Sequence, residues 1–524
     1  MAASRTRILI YLILIILIIS SLLSKFSDRT TKNYYYSDSG KKTSTSLKTK
    51  INYRGVKALK EREYTINPDE KFLAYYTHSG YHNQRVGLEN ALLLAKILNR
   101  TLLMPPALLG TPLPWIRFDK MYERLFLATK KGLQHCPKVP RDFPLPAECL
   151  NYYSYTRVSW DFLLEMEPIR ESQKIIDRFD HSYEWIEENL NLDISKDVRF
   201  IRDNKLWDYR IFDTTGSRID DSNKFTRFLY TDKLKEDPKK LIHFGSLFGS
   251  LRVVPEKPSN MQYLKFIRKH LVPNNELVLK ATESIVNKLG GVGNFIGLHI
   301  RATDGFFMKY ARLNIDHIYH NLTNTFTKLT PEEIDVLEGG THEKDILIDE
   351  SVDLGEYNPH GNKNKVAQVN NKLKKRDIND NDKLKIRDIQ NMNDNNKLKI
   401  RGSQNIKCKK SLHPSDSGVN TVIFLATDIK SPRSNHLLFK FFNTFPCVFV
   451  LGDFEEDLTE ILRIMNSDDL TPLADYLIPM LDALISSEGH SFYGTGKSTF
   501  SKYIKDTLYP ISKGQELEIP LNFY

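Results

Sequence analysis

The chain has 524 residues, 40% of them hydrophobic, which is long enough for two folded domains and further segments. Its formal net charge is +10, but residues 361–410 hold fifteen Lys or Arg and five Asp or Glu. That window carries the whole excess, so the composition argues against a basic surface for nucleic acid elsewhere in the chain.

The N-terminal segment predicts a membrane anchor. Residues 8–24 contain no charged residue and follow Arg5 and Arg7. The run is short for a bilayer but suits the thinner membranes of the early secretory pathway. A cleaved signal peptide is the alternative, because small serines end the run. We expect a cytoplasmic tail at 1–7, a transmembrane signal anchor at 8–24 and an extended stem at 25–66. The protein would be a single-pass type II protein of the Golgi or ER membrane, with the rest of the chain in the lumen.

From Lys71 onward, short apolar runs alternate with helical patterns. The segment Lys71–Thr77 predicts a strand, Gln84–Leu98 a helix and Thr101–Met104 the next strand. This order opens a doubly wound parallel sheet. A second series of β/α units begins with the strand Asn294–Ile300. The sequence therefore predicts an α/β protein with two Rossmann-like domains, an N-terminal one at 67–255 and a C-terminal one at 256–515.

The second series is interrupted at residues 340–415, which are rich in Asn and in basic residues. The hexamers KLKKRD, KLKIRD and KLKIRG begin at residues 372, 383 and 397. Because the segment has no sustained apolar stripe, it predicts a disordered surface insertion. A binding site made of basic repeats is the alternative. Four cysteines fit an oxidising compartment, and the local pair Cys136 and Cys149 is the expected disulfide.

Three polar clusters stand where strands end or helices begin, which is where α/β sheets bind ligands. The first is THSGYHNQR at 77–85, the second GLHIRATDG at 297–305 and the third SFYGTGKSTF at 491–500. The third resembles a P-loop but has Ser491 where that motif needs Gly. Its glycines and hydroxyls still suit a diphosphate. Each cluster has a structural alternative: an ordinary capped turn for the first, and an Arg301–Asp304 ion pair for the second.

Together these segments resemble the GDP-fucose protein O-fucosyltransferase superfamily. The segments SGYHNQR, LIHFGSLFGS, IGLHIRATDG, VIFLATD and FYGTGKSTFSKYI occur in the order found in that family. The resemblance covers roughly residues 71–510 without the insertion. It implies a GT-B fold in which the N-terminal domain lies on the acceptor side and the C-terminal domain binds the donor. It also implies GDP-fucose as donor substrate, no metal or other cofactor, and inverting transfer of fucose to a hydroxyl of a protein or glycan acceptor.

The resemblance also implies roles for individual residues. Arg301 would stabilise the charge that develops on the diphosphate, and Asn83 would be an active-site residue of the first turn. Asp428 would accept hydrogen bonds from the nucleobase, since a carboxylate suits the donor edge of guanine. The other residues expected to line the donor site are Gly80, Tyr81, His299, Asp304, Ser498, Thr499 and Phe500.

This sequence departs from the family pattern at the general base. Some members carry a Glu in the first turn, and this turn has none. His82 or His78 would serve instead, unless departure of the leaving group dominates and no strong base is needed. A metal-dependent transferase would need a DxD after a strand. The only close match, Asp380-Asn381-Asp382, lies in the insertion. Two alternatives stay open: a GT-B transferase for another nucleotide sugar, and a non-catalytic relative that binds sugar or protein.

Overall fold

A computed structural model describes residues 53–140, 143–215, 224–338, 408 and 417–519. The predicted tail, the predicted anchor and the stem up to residue 52 lie outside these ranges. The predicted insertion also lies outside them, apart from Cys408. Within the described ranges, no helix is both long enough and apolar enough to cross a membrane.

Sixteen strands form in the described residues, most of them from short apolar runs. In chain order they are β1 (Arg54–Val56), β2 (Phe72–Tyr76), β3 (Thr101–Met104), β4 (Ala107–Gly110), β5 (Tyr155–Val158), β6 (Ile175–Asp177), β7 (Val198–Ile201), β8 (Tyr209–Phe212), β9 (Arg227–Tyr230), β10 (Leu241–Ser246), β11 (Val253–Val254), β12 (Ile296–Ile300), β13 (Ile423–Thr427), β14 (Val448–Phe449), β15 (Ile464–Asn466) and β16 (Ser491–Gly494).

The main helices are α1 (Tyr81–Leu98), α2 (Phe118–Leu127), α3 (Trp160–Leu163), α4 (Glu167–Ser172), α5 (Tyr183–Leu190), α6 (Ile194–Asp197), α7 (Thr231–Lys235), α8 (Pro258–His270), α9 (Glu276–Lys288), α10 (Gly305–Lys309), α11 (Ala311–Phe326), α12 (Pro331–Glu338), α13 (Phe439–Thr444), α14 (Glu455–Leu462), α15 (Ala474–Ser487), α16 (Thr499–Tyr503) and α17 (Tyr509–Ser512). A π-helical turn, Ile504–Leu508, joins α16 to α17.

Two parallel sheets organise these elements. The first has the strand order β6-β3-β2-β10-β7, and the second has the order β14-β13-β12-β16. The central strands β2 and β12 are buried along their whole length, as expected for parallel strands covered on both faces. The predicted α/β class with parallel sheets is therefore confirmed. The division into two domains stays a prediction.

Part of the segment predicted as a stem is folded. Strand β1 pairs in parallel with β15, and Ala58 is fully buried. The backbone N–H of Lys60 donates to Ser159 Oγ at 2.7 Å. Sequence reasoning missed this strand because RGV at 54–56 is too short to show any periodicity.

The helix predicted near 431–443 is shorter in the structure. Two 3₁₀ turns, at Pro432–Ser434 and His436–Leu438, precede α13. Asn435 Oδ1 accepts from the N–H of Leu437 at 3.0 Å. This side-chain cap starts a new 3₁₀ turn at His436, so the predicted helix is broken there.

Two disulfides are present. Cys136 bonds Cys149, as the sequence predicted, and Cys408 bonds Cys447 just before β14. The second bond fixes Cys408, near the end of the predicted insertion, beside the second sheet.

Candidate active site

The turn after β2 delivers the first predicted cluster. Gly80 precedes α1, and its carbonyl accepts from the N–H of Asn83 at 3.0 Å. Gly80 is extended, and the helix begins without a side-chain cap.

Several polar atoms on these first turns are buried without a hydrogen-bond partner among the described residues. They are Tyr81 Oη, both ring nitrogens of His82, Asn83 Oδ1, and Nε and Nη1 of Arg85. Leaving such groups unpaired costs free energy in a folded protein. Their concentration at one helix start makes this turn a candidate ligand site.

The end of β12 delivers the second cluster. His299 Nδ1 lies 2.6 Å from Ser501 Oγ, which joins this strand end to α16. The N–H of Arg301 donates to Thr495 Oγ1 at 2.9 Å, and the N–H of Thr495 donates to the carbonyl of His299 at 3.0 Å. The strand end and the turn after β16 are therefore held together by both backbone and side-chain bonds.

The Arg301 side chain is turned toward its own loop. Its Nη2 donates to Asp304 Oδ2 at 2.5 Å, and its guanidinium lies 4.5 Å from the ring centroid of Phe307. The side chain remains 32% exposed, so a ligand can still reach the fork. The ion pair that was the structural alternative for this cluster is thus present in the structure.

The third cluster brings the two sheets together. Ser498 precedes α16, and its Oγ accepts from the N–H of Ser501 at 3.3 Å; Thr499 is the first residue of the helix. The ring of Phe500 lies between two imidazoles, 4.7 Å from His82 and 4.4 Å from His299. Clusters that are far apart in the sequence therefore form one contiguous site.

The three histidines of the site are all held neutral. Burial lowers the pKa of His82 well below its usual value, and Arg85, His299 and Arg301 lower it further. Burial, with Arg301, lowers the pKa of His299 to about 3. Burial, with Arg252, lowers the pKa of His78 to about 3. A ring whose protonated form is this unfavourable is poorly matched to accept a proton near neutral pH.

The carboxylate of Asp428 accepts hydrogen bonds from the loop that follows β12. Its Oδ1 accepts from the N–H of Ala302 at 2.8 Å, and its Oδ2 accepts from Thr303 Oγ1 at 2.7 Å. Next to this loop lies an open cavity of about 330 Å³. It is lined by Ala302, Thr303, Ile429, Lys430, Ser431, Ser434, Asn435 and Leu437. A volume of this order is within the range of small-molecule sites, and it lies at the carboxyl ends of β12 and β13.

One group of residues with side chains that can bind a metal ion occurs in the part of the chain that the structure describes. It consists of His135, Cys136 and Cys149. Both sulfurs are joined in the disulfide, so neither is available as a thiolate ligand.

Sequence reasoning missed four residues that build the site. Thr495 and Ser501 bond the end of β12, and Arg85 and Tyr503 pack behind His82. All four stand within the quoted motifs, and the hydroxyls of the last motif were the signal that could have identified Ser501.

Comparison with known proteins gives one local match in sequence. No profile of a known protein family matches the chain. A stretch of 39 residues is 59% identical to O-fucosyltransferase 30 of Arabidopsis thaliana. The chain resembles the O-fucosyltransferases. The predicted resemblance is confirmed over that stretch, which spans 7% of this chain and 8% of the relative.

Solved structures of POFUT1 also align with the chain. The complex with GDP-fucose in crystal form I aligns over 86% of this chain and 97% of that one, at 10% identity and a TM-score of 0.32. The apo form aligns over 86% and 98%, at 11% identity and a TM-score of 0.31. TM-scores this low do not establish a common fold.

Proposed function

We propose that the protein is a glycosyltransferase that transfers fucose from GDP-fucose to an acceptor hydroxyl, with inversion at the transferred carbon. The observation that carries this proposal is the meeting of Arg301, His299 and Phe500 with His82 at the carboxyl ends of two parallel sheets. The local similarity to an O-fucosyltransferase supports the choice of donor.

The donor would lie along the edge of the second sheet. Its nucleoside would occupy the 330 Å³ cavity, between the apolar side chains of Ile429 and Leu437 and the hydroxyls of the lining serines. The diphosphate would then lie near Arg301 and the hydroxyls of Ser498 and Thr499. A planar guanidinium forms two parallel bonds to phosphate oxygens, which suits it to a group whose charge grows during bond cleavage.

Charge stabilisation would supply most of the rate enhancement. Donors that are already oriented toward developing charge are typically the largest single contribution to such catalysis. Because protonation of these histidines is unfavourable, we propose that none of them acts as a strong base and that departure of GDP dominates the transition state. The bond from the fucose carbon to GDP would break as the acceptor oxygen bonds that carbon, and the acceptor's proton would pass to a phosphate oxygen of the departing GDP. Asn83 Oδ1, which has no partner among the described residues, would accept a hydrogen bond from the acceptor hydroxyl.

We further propose that this chemistry requires no metal ion, since Arg301 and the hydroxyls take the role of a bound cation. Turnover should then persist in EDTA, and complete loss on chelation would contradict this part of the proposal. The location in the Golgi or ER membrane also stays a proposal. Two disulfides in the described residues are consistent with an oxidising compartment.

A thermal-shift panel on the full-length protein tests the donor. We expect GDP, GDP-fucose and GDP-mannose to stabilise the protein, by about 2.7 kcal/mol at ligand concentrations 100-fold above Kd. A stronger response to UDP than to GDP would indicate another nucleotide sugar. No response to any nucleotide, including ADP, would support a non-catalytic relative that binds sugar or protein.

A further inference from the structure

A buried charged cluster lies directly behind His82. Arg85, one turn further along α1, places its guanidinium 4.0 Å from the ring centroid of Tyr503 on α16. Its Nη1 lies 3.8 Å from Glu89 Oε2, and both side chains are at most 6% exposed. Glu89 in turn accepts two hydrogen bonds from Arg268 on α8, at 2.7 and 3.0 Å.

The cluster closes into a ring of contacts. The hydroxyl of Tyr503 donates to the carbonyl of Leu271, the residue that follows α8, at 2.8 Å. The contacts therefore run from α8 through Glu89 and Arg85 on α1 to Tyr503 on α16, and then back to the end of α8. Three helices are fixed to one another by buried contacts, and α1 and α16 also carry His82 and Phe500.

Arg85 is not fully satisfied in this ring. Its Nε and Nη1 have no hydrogen-bond acceptor among the described residues, although the side chain is buried. A buried guanidinium with unused donors is costly, and a buried arginine kept only for stability is weakly supported on energetic grounds. Its position one turn behind His82 gives it a role in the site instead.

We propose that Arg85 is a positioning residue of the donor site: it stacks on Tyr503 and holds α16 against α1, so that His82, Phe500 and His299 stay aligned. The inference rests on the proposed donor site. It predicts that donor binding depends on the contact between the Arg85 guanidinium and the Tyr503 ring, although neither group touches the donor.

The contact can be perturbed from both sides. We expect Arg85→Met and Tyr503→Leu each to weaken GDP binding about tenfold, because each removes one partner of a desolvated cation–π contact. Tyr503→Phe keeps the ring under the guanidinium and loses only the bond to the Leu271 carbonyl, so it should weaken GDP binding less than Tyr503→Leu does. Arg124→Met removes an exposed arginine on α2 and serves as the matched control. If the two perturbations act through one contact, the double variant should be little worse than either single variant.

A second readout separates positioning from a general loss of stability. The charged and titratable groups around His82 are Tyr81 and Arg85 on its own helix, His299 and Arg301 at the end of β12, and Tyr503 on α16. Removing the Arg85 charge should raise the pKa of His82, measured by NMR of the imidazole in the full-length protein. Arg85→Lys keeps a charge there and should leave the pKa closer to the wild-type value.

The outcomes distinguish this inference from the proposed function. If the wild type does not bind GDP, the proposed function fails, and the NMR titration still reports on the Arg85–His82 relationship. If the wild type binds GDP and a folded Arg85→Met variant binds it equally well, the positioning role is overturned. Should Arg85→Met not fold, Tyr503→Leu compared with Tyr503→Phe gives the same decision.

Discussion

The guanidinium of Arg301 donates to both carboxylate oxygens of Asp304, at 3.2 Å from Nε and 2.5 Å from Nη2. The fork that would bind a diphosphate is therefore paired with a neighbouring carboxylate. A donor would have to share this fork with Asp304 or displace it. Because both side chains are partly exposed, the ion pair itself contributes little stability, and exchanging it costs little.

Arg301→Lys keeps the positive charge but loses the planar fork. We expect the rate at which GDP is released from GDP-fucose to fall about 10²–10³-fold. This is the loss typical of removing one oriented hydrogen-bond donor from a position where charge develops. Thermal unfolding should be unchanged, since the side chain is 32% exposed. Asp304→Asn is the companion variant: it frees the fork and removes a negative charge, so GDP should bind more tightly. Near-normal turnover in Arg301→Lys would remove this residue from the mechanism.

Gly297, inside β12, has no room for a side chain. A Cβ at this position would lie 2.0 Å from the carbonyl oxygen of Ser486 on α15. Because backbone cannot yield as a flexible side chain can, Gly297→Ala should push the helix from the sheet and destabilise the protein by about 1–3 kcal/mol or more. Gly452→Ala, where nothing lies within 4 Å, is the matched control. Equal melting temperatures for both variants would mean that α15 adjusts without cost.

Lys130 forms a buried ion pair with Asp469. The Nζ–Oδ2 distance is 2.6 Å, and Nζ also lies 4.3 Å from the ring centroid of Tyr152. Lys130→Met leaves the carboxylate buried without its counter-charge, so we expect a loss of about 3–5 kcal/mol in denaturant unfolding. The control is Lys131→Met, at an exposed neighbouring position. A loss below 1 kcal/mol would show that Thr156, which donates to the same carboxylate, is sufficient.

Asp482 predicts an unusual pH dependence of stability. Burial raises the pKa of this carboxyl on α15 to about 8, and its Oδ1 has no partner among the described residues. Between about pH 4 and pH 8 the folded state then holds a proton that the unfolded state has released. The stability that this proton adds to the folded state is fully present below pH 4. Between pH 4 and pH 8 the free energy of unfolding falls by up to about 1.4 kcal/mol per pH unit.

Denaturant unfolding of Asp482→Asn at several pH values between 5 and 8 checks this. The variant should gain stability relative to the wild type as the pH rises, because its amide cannot ionise. Asp475→Asn, at an exposed position of the same helix, should parallel the wild type. Parallel curves for all three proteins would mean that Asp482 is ionised at little cost in the folded state.

The sequence predicted the regular elements around the site well, because long apolar runs leave few alternatives. The predicted strand Thr101–Met104 matches β3, and the predicted helix from Gln84 begins one turn early, at Tyr81, and ends at Leu98 as expected. The meeting of His82 with Phe500 could not be derived from periodicity. Their rings are 4.7 Å apart although 418 positions separate them, and only the packing of α16 against α1 brings them together.

The pKa values and hydrogen bonds of the site residues also could not be predicted from the sequence. A histidine in a polar turn suggests a near-neutral pKa, but burial of the ring nitrogens and the nearby guanidiniums hold the His82 pKa well below its usual value. Likewise, the groups that donate hydrogen bonds to Asp428 belong to residues 302 and 303, which follow β12, whereas Asp428 follows β13. These bonds depend on the register between the two strands, which the sequence does not show.

The bond between Cys408 and Cys447 has a consequence for natural variation in this protein. Helix α12, which ends at Glu338, packs against α13. Cys408 is bonded to Cys447, three residues after the end of α13. Both boundaries of the repeat-bearing stretch are therefore attached to one region beside the second sheet. Gaining or losing a copy of the basic hexamer would change the chain length between two fixed points. Chains that differ in repeat number should therefore keep the same geometry at the candidate site.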